Sequence, residues 1–177
     1  MSEIELQLPE MRHQIAAEEF KNEFFEAQEL VINGSALLDQ MDYGPWLSHA
    51  IDNRKDETVR SDWVTATTFF ALRKGDGRIV GMIDVRHNLN NEFLSKYGGH
   101  IGYAVRPSER NRGYATAMLK MGLKYASSLN LSRVMLGCYA ANIPSAKVIE
   151  KCGGVLSETK PFTNGKPMNI YWIGLKT

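Results

Sequence analysis

Two strand-like runs, His100–Val105 and Arg133–Tyr139, bracket a single amphipathic helix that opens directly out of a basic glycine turn, Arg110-Asn111-Arg112-Gly113-Tyr114-Ala115. Strand, helix and strand in that order make a crossover, which sets the two strands parallel with the helix covering one face of the sheet. Tyr114, Met118, Met121 and Tyr125 supply the apolar stripe of a helix running from residue 111 to about 128. A strand that stops, turns through glycine and starts a helix leaves the first helical N–H groups without partners. Those donors, with the positive end of the helix dipole, suit a phosphate. Arg106, Arg110 and Arg112 crowd the same turn. In open α/β sheets ligands gather beyond the carboxyl ends of such strands, which is where this turn lies.

The flanking segments read as further sheet and helix. Ile4, Leu6 and Leu8 alternate as in a half-buried strand that ends at Pro9. Ala16, Phe20, Phe24, Ala27 and Val31 then recur at steps of three and four, predicting a helix from Glu10 to about Ile32, stopped by Asn33-Gly34. The stretch 42–58 reads as irregular, a surface excursion around a buried Trp46. Runs 66–73 and 78–87 form a hairpin through Lys74-Gly75-Asp76-Gly77, and 88–98 is a polar connection. After the crossover, Asn142 caps a short helix with Pro144 in its first turn, ending at Gly153-Gly154. Strands 155–159 and 168–175 close the chain around Asn164-Gly165. Helices interleaved with antiparallel hairpins give a mixed α/β sheet covered by helices.

Composition narrows what such a fold is for. The 177 residues predict one domain, and a formal net charge of +1 offers nothing to recruit nucleic acid or an anionic membrane. No apolar run approaches the roughly 20 residues that span a bilayer. The N-terminus, Met1-Ser2-Glu3-Ile4-Glu5, lacks the basic-then-apolar order of a secretory leader, so the expected compartment is the cytoplasm. Cys138 and Cys152 have no zinc-like spacing and are too few for a disulfide framework, and no metal is expected. A Walker A loop would end in Gly-Lys-Ser/Thr and a Rossmann fingerprint would carry three spaced glycines; neither is present.

The run from Ile101 to Thr116, with Arg110-x-x-Gly113-x-Ala115 at its centre, resembles the signature motif of the GNAT superfamily of N-acetyltransferases. Asn142-x-x-Ser145 followed by Glu150-Lys151-x-Gly153 resembles that family's next helix. The resemblance implies a GNAT fold over the whole chain: a mostly antiparallel mixed sheet, with a central splayed parallel pair of strands, flanked by helices. It implies acetyl-CoA as cosubstrate and a primary amine, on a small molecule or peptide, as acceptor. Carried over by position, the N–H groups of Arg112, Gly113, Tyr114, Ala115 and Thr116 would grip the CoA pyrophosphate, and Arg110 would orient it. Tyr103, Ala104 and Val105 would pair with the pantetheine arm through their backbone, while Asn142 and Ser145 would touch it from the opposite wall. An amide near Ala104 or Val105 would face the acyl oxygen.

One position departs from the family. A tyrosine is expected just before Glu150-Lys151 as the acid for the departing thiolate, and this chain has Ile149. Tyr139 and Tyr114 are the candidate substitutes. His100 is the first candidate for the base, since an unperturbed imidazole titrates near neutral pH. Asp84, His87 and Glu92 are alternatives. A catalytically silent CoA-binding sensor, or transfer of a longer acyl group, are the competing readings. The closing strands offer an edge for a homodimer.

Overall fold

The computed structural model describes residues 3–175; Met1, Ser2, Lys176 and Thr177 lie outside the described residues, among them the start of the acidic N-terminus. Among the described residues seven strands and four α-helices follow in the order β1 (Ile4–Gln7), α1 (Gln14–Glu26), α2 (Tyr43–Asp52), β2 (Ala66–Arg73), β3 (Ile79–Arg86), β4 (Ile101–Val105), α3 (Tyr114–Ser128), β5 (Arg133–Tyr139), α4 (Ile143–Lys151), β6 (Val155–Pro161) and β7 (Pro167–Gly174). Two antiparallel ladders carry them, in the orders β1-β2-β3-β4 and β5-β7-β6.

The crossover fixes how the ladders meet. α3 returns along β3, with Met118 against Gly81, Gly122 against Ile83 and the Tyr125 hydroxyl 2.9 Å from Thr67 Oγ1. Since β3 is antiparallel to β4, α3 also runs opposite to β4, and β5 leaves it in β4's direction. The ladders touch at one corner. There His100 N–H donates to Met135 O at 2.7 Å, and Met135 N–H donates to His100 Nδ1 at 2.9 Å. Beyond that corner no ladder joins β4 to β5, so the central parallel pair splays as expected.

Two apolar layers hold the sheet. Ile83, Val85 and Ile101 pack on Met118, Leu119 and Ala126 of α3, while Phe70, Leu72 and Met82 pack on Phe20, Phe24 and Trp46 from α1 and α2. Burying a large apolar side chain contributes about 1.5–3 kcal/mol, so these layers hold β4 rigidly in place.

The first third of the chain differs from the sequence expectation. α1 stops at Glu26, not near Ile32, because Gln28 turns into the left-handed region at φ 62°. Gln28 N–H then donates to Phe25 O and Glu29 N–H to Phe24 O, a Schellman closure of the helix end. Leu30 and Val31 follow as exposed residues, and Val31 belongs to no helical stripe. The stretch read as irregular contains α2. Its Pro45 sits in the first turn, where a missing N–H costs nothing, and Trp46 N–H makes the first helical bond to Asp42 O. Trp46 is buried, with Nε1 donating to Ser35 O at 2.8 Å. The 88–98 connection ends in a π-helical turn, Leu94–Gly98.

Candidate active site

The splay between β4 and β5 opens into a cleft of about 1280 Å³. Its walls are the segment after α1, the β3–β4 connection, β4, the turn 109–116, β5 and the start of α4.

At one end lies the glycine turn. Gly113 has φ 80° and caps α3, and a Cβ placed on it would meet nothing within 4 Å. The first backbone bond into α3 runs from Ala117 N–H to Gly113 O at 3.1 Å; among the described residues no backbone bond uses the N–H groups of Arg112 to Thr116. Five amides at the positive end of a 15-residue helix are therefore left without a backbone partner, and four of their residues, Gly113, Tyr114, Ala115 and Thr116, line the cleft. The Arg110 side chain points elsewhere. It clamps Glu29 in a bidentate pair at 2.7 and 2.6 Å, and its Nε donates to Val105 O at 3.3 Å. Those bonds hold the Glu29 carboxyl below the usual carboxylate range. Arg112 is exposed, 3.5 Å from Glu109.

Strand β4 forms the floor, and its register decides which amides face the slot. His100 O accepts from Arg86 N–H and Arg106 N–H donates to Val80 O, so even-numbered residues bond to β3. Tyr103 and Val105 therefore present their backbone groups to the slot, and Ala104 does not. That corrects the expectation that Ala104 offers its amide, although Ala104 still lines the cleft. Opposite, Asn142 Oδ1 accepts from Ser145 N–H at 3.2 Å as a helix cap, and Ser145 Oγ lies 3.1 Å from the Tyr103 hydroxyl. Burial pushes the Tyr103 phenol up to about 12, so it keeps its proton.

The candidate acids and bases fall mostly outside this space. His100 is buried, with its Nδ1 occupied by the Met135 amide, and is no part of the cleft wall. Burial, then the nearby Arg86 charge, lower its pKa to about 4, so it is neutral near pH 7. The first choice for the base is thereby placed as a peg between the two ladders. Asp84 is buried between Thr68 Oγ1 at 2.8 Å and Arg86 Nε at 2.9 Å. His87 bonds to Thr67, and Glu92 pairs with Lys96. Ile149 is buried in the α3/α4 layer. Tyr114 donates to Glu3 at 3.1 Å, and the Tyr139 hydroxyl accepts from Asn164 at 3.1 Å.

Three features of the cleft escape sequence reading. Glu29 reaches it only because α1 ends early. Arg86 enters it beside Gly102, and Phe93, Tyr97, Tyr139 and Phe162, all lining it, form a ring cluster. A glycine inside a strand signals close approach, and Gly102 was such a signal. A Cβ there would lie 3.2 Å from Arg86 Nη2 and 3.2 Å from Gly34 N.

With this geometry in hand, likeness to known proteins is informative. The family described as "Acetyltransferase (GNAT) domain" matches residues 11–155. An uncharacterized N-acetyltransferase, YnaD of Bacillus subtilis, is 35% identical over 65 residues, 34% of this chain and 38% of the relative. The mycothiol acetyltransferase of Acidothermus cellulolyticus is 27% identical over 134 residues, 70% of this chain and 39% of the relative. The matches thus span less than two fifths of either relative's length. The crystal structure of the microcin C7 self-immunity acetyltransferase MccE, in complex with acetyl-CoA and AMP, superposes with a TM-score of 0.71. That likeness covers 99% of this chain and 94% of the other at 18% identity, which speaks to the fold.

Proposed function

The chain belongs to the GNAT acetyltransferase family, and from that premise we propose that it transfers the acetyl group of acetyl-CoA to a primary amine, residues 1–177 acting as one N-acetyltransferase domain. The observation that carries the reading is the row of N–H groups from Arg112 to Thr116 that meet no backbone acceptor among the described residues, beside a cleft lined by Gly113 to Thr116 and floored by the free edge of β4.

The residues present fit CoA. The amides of Arg112 to Thr116 hold the diphosphate at the positive end of α3. The slot-facing backbone of Tyr103 and Val105 bonds the pantetheine arm as a neighbouring strand would, while Asn142 and Ser145 bound the other side. Acetyl-CoA supplies an activated acyl group. Tyr103 N–H, the slot-facing amide farther along β4 from the phosphate turn than Val105, is the donor that polarises the acyl oxygen, which is worth most in a cleft from which water is displaced. The Tyr103 hydroxyl, held against Ser145 Oγ and protonated across the working range, delivers a proton where the sulfur departs. No histidine lines the cleft among the described residues, and its carboxylates, Glu29 and Glu109, are held in ion pairs with Arg110 and Arg78, so the acceptor ammonium loses its proton to solvent. Positioning two substrates side by side supplies much of the remaining acceleration.

The buried Ile149, standing where the family resemblance places a tyrosine, favours a second reading, a CoA-binding sensor without turnover. Free-thiol release from acetyl-CoA across a panel of amines, with calorimetric CoA binding beside it, separates the two. Binding with amine-dependent thiol release is expected, and binding without release with any amine supports the sensor. No binding rejects both. The open edge of β6, with Val155 70% exposed, supports a homodimer.

A further inference from the structure

CoA fills only part of the cleft if the reading above holds. The phosphate turn, the β4 edge and the start of α4 are then taken, which leaves the half bounded by Arg86, Gly102, the residues after α1 and the ring cluster. The chemistry of that half is specific. Phe93, Tyr97 and Phe162 stand with ring centroids 6.0, 6.0 and 5.1 Å apart, and Tyr139 packs on Phe162 at 5.6 Å. Phe93 is 50% exposed, and Tyr97, Tyr139 and Phe162 are partly so, leaving ring surface open to a ligand.

Arg86 supplies the polar counterpart. Its Nε is held by Asp84 at 2.9 Å, and its Nη1 donates to Gly98 O and Gly99 O at 3.3 Å each. No hydrogen bond among the described residues uses Nη2, and it lies next to the bare Cα of Gly102, where Arg86 and Gly102 both line the cleft. Any side chain at residue 102 would stand 3.2 Å from that nitrogen and cover it. The acidic groups near the cleft are committed: Glu29 to Arg110, Glu109 to Arg73 and Arg78, and Asp84 to Arg86. A second ammonium has nowhere to pair, whereas an oxygen anion or carbonyl does. A charge-assisted bond to a fixed guanidinium with one free nitrogen orients such an oxygen.

We propose that the acceptor is an α-amino carbonyl compound with an aromatic side chain, its ring against the Phe93/Tyr97/Phe162 cluster and its carboxylate or carbonyl oxygen on Arg86 Nη2. The amine then lies over β4 beside Tyr103, where the acyl group is delivered. This identification rests on the acyltransfer reading and sharpens it. A free aromatic amino acid and the first residue of a peptide share this chemistry.

The test is thiol release from acetyl-CoA with L-phenylalanine, the dipeptide Phe-Ala, phenethylamine, L-alanine and spermidine. Phenylalanine or Phe-Ala, whichever source is used, should exceed the other three in kcat/KM by about tenfold or more, the worth of one oriented charged bond or one stacked ring. Equal or better turnover of phenethylamine removes the role of Arg86. Preference for alanine removes that of the rings, and preference for spermidine overturns both. Phe93→Ala, at a half-exposed position, should raise the KM for phenylalanine and leave the acetyl-CoA KM unchanged, with a small drop in Tm from the lost ring contacts; an unchanged phenylalanine KM counts against the ring site. Arg86→Lys should raise KM for phenylalanine but not for phenethylamine. If CoA binds and nothing turns over, calorimetric titration of phenylalanine into the CoA-loaded protein decides, with no binding overturning the proposal. Failure to bind CoA at all sinks the acyltransfer premise instead.

Discussion

Gly113→Ala separates the cost of a backbone conformation from the cost of losing a ligand contact. In the folded chain a methyl at this position meets nothing within 4 Å, so no steric penalty falls on the protein. What remains is φ 80°, a region that costs an L-residue about 1–2 kcal/mol. For a chain of this size that predicts a Tm lower by roughly 2–8 °C, with the protein still folded at 25 °C. The added carbon stands at the mouth of the amide row, at the place a phosphate oxygen must approach. Loss of one charge-assisted bond there removes about 1.5–3 kcal/mol of binding, or roughly a 10- to 150-fold rise in Kd for CoA. Calorimetry of CoA on both folded proteins reads that ratio directly. A Kd within about twofold of the parent, alongside the expected Tm shift, would refute the phosphate site and leave Gly113 a simple turn residue.

The other outcomes concern protons and the clamp on Arg110. His100 has a folded pKa of about 4 against an unfolded value near 6.5, so the unfolded chain binds the extra proton in between. Its contribution is present above about pH 6.5 and is lost as pH falls toward 4, on the order of 3 kcal/mol in urea titrations. His13, His49 and His87 are lowered by burial and act in the same direction, so His100→Asn should flatten the acid side of the stability curve without abolishing it. Log kcat/KM should climb toward the acceptor's own pKa with no inflection near 6.5, and an inflection there that disappears in His100→Asn would restore His100 as the base. Tyr103→Phe should lower kcat by about tenfold or more with CoA affinity unchanged; an unchanged kcat removes the proton donor role. Glu29→Gln should free Arg110 for the diphosphate and tighten CoA binding, by no more than about fivefold because an exposed pair is worth about 1 kcal/mol or less. Weaker binding would show the clamp to be part of the site.

The part of the chain that could be read from residues alone is the part where local chemistry and tertiary structure agree. Hairpin β2–β3, the crossover β4–α3–β5 and the capped α4 carry their own signals: alternation, glycine turns, a helical stripe, an Asn–Pro start. α1's end carried none, because a glutamine adopts the left-handed cap that sequence rules give to glycine. α2 was hidden by Gly44-Pro45, residues that break a helix interior but not a first turn. The glycine turn was legible as structure because Gly113 takes the left-handed cap from which α3 starts, a conformation that glycine spacing reveals. The setting of His100 was not legible, because its burial and its neighbour Arg86 are both set by the meeting of two ladders. Arg86 and the ring cluster come together only through the β3–β4 connection and the β6–β7 loop, segments whose spacing follows no period.

Amide hydrogen exchange, with and without CoA, tests the clasp most directly. Protection should appear at Arg112 to Thr116 and at Tyr103 and Val105, while Gly102 and Ala104, already bonded to β3, stay as they were. Protection of Gly102 and Ala104 in their place, or none along residues 112–116, would contradict the account.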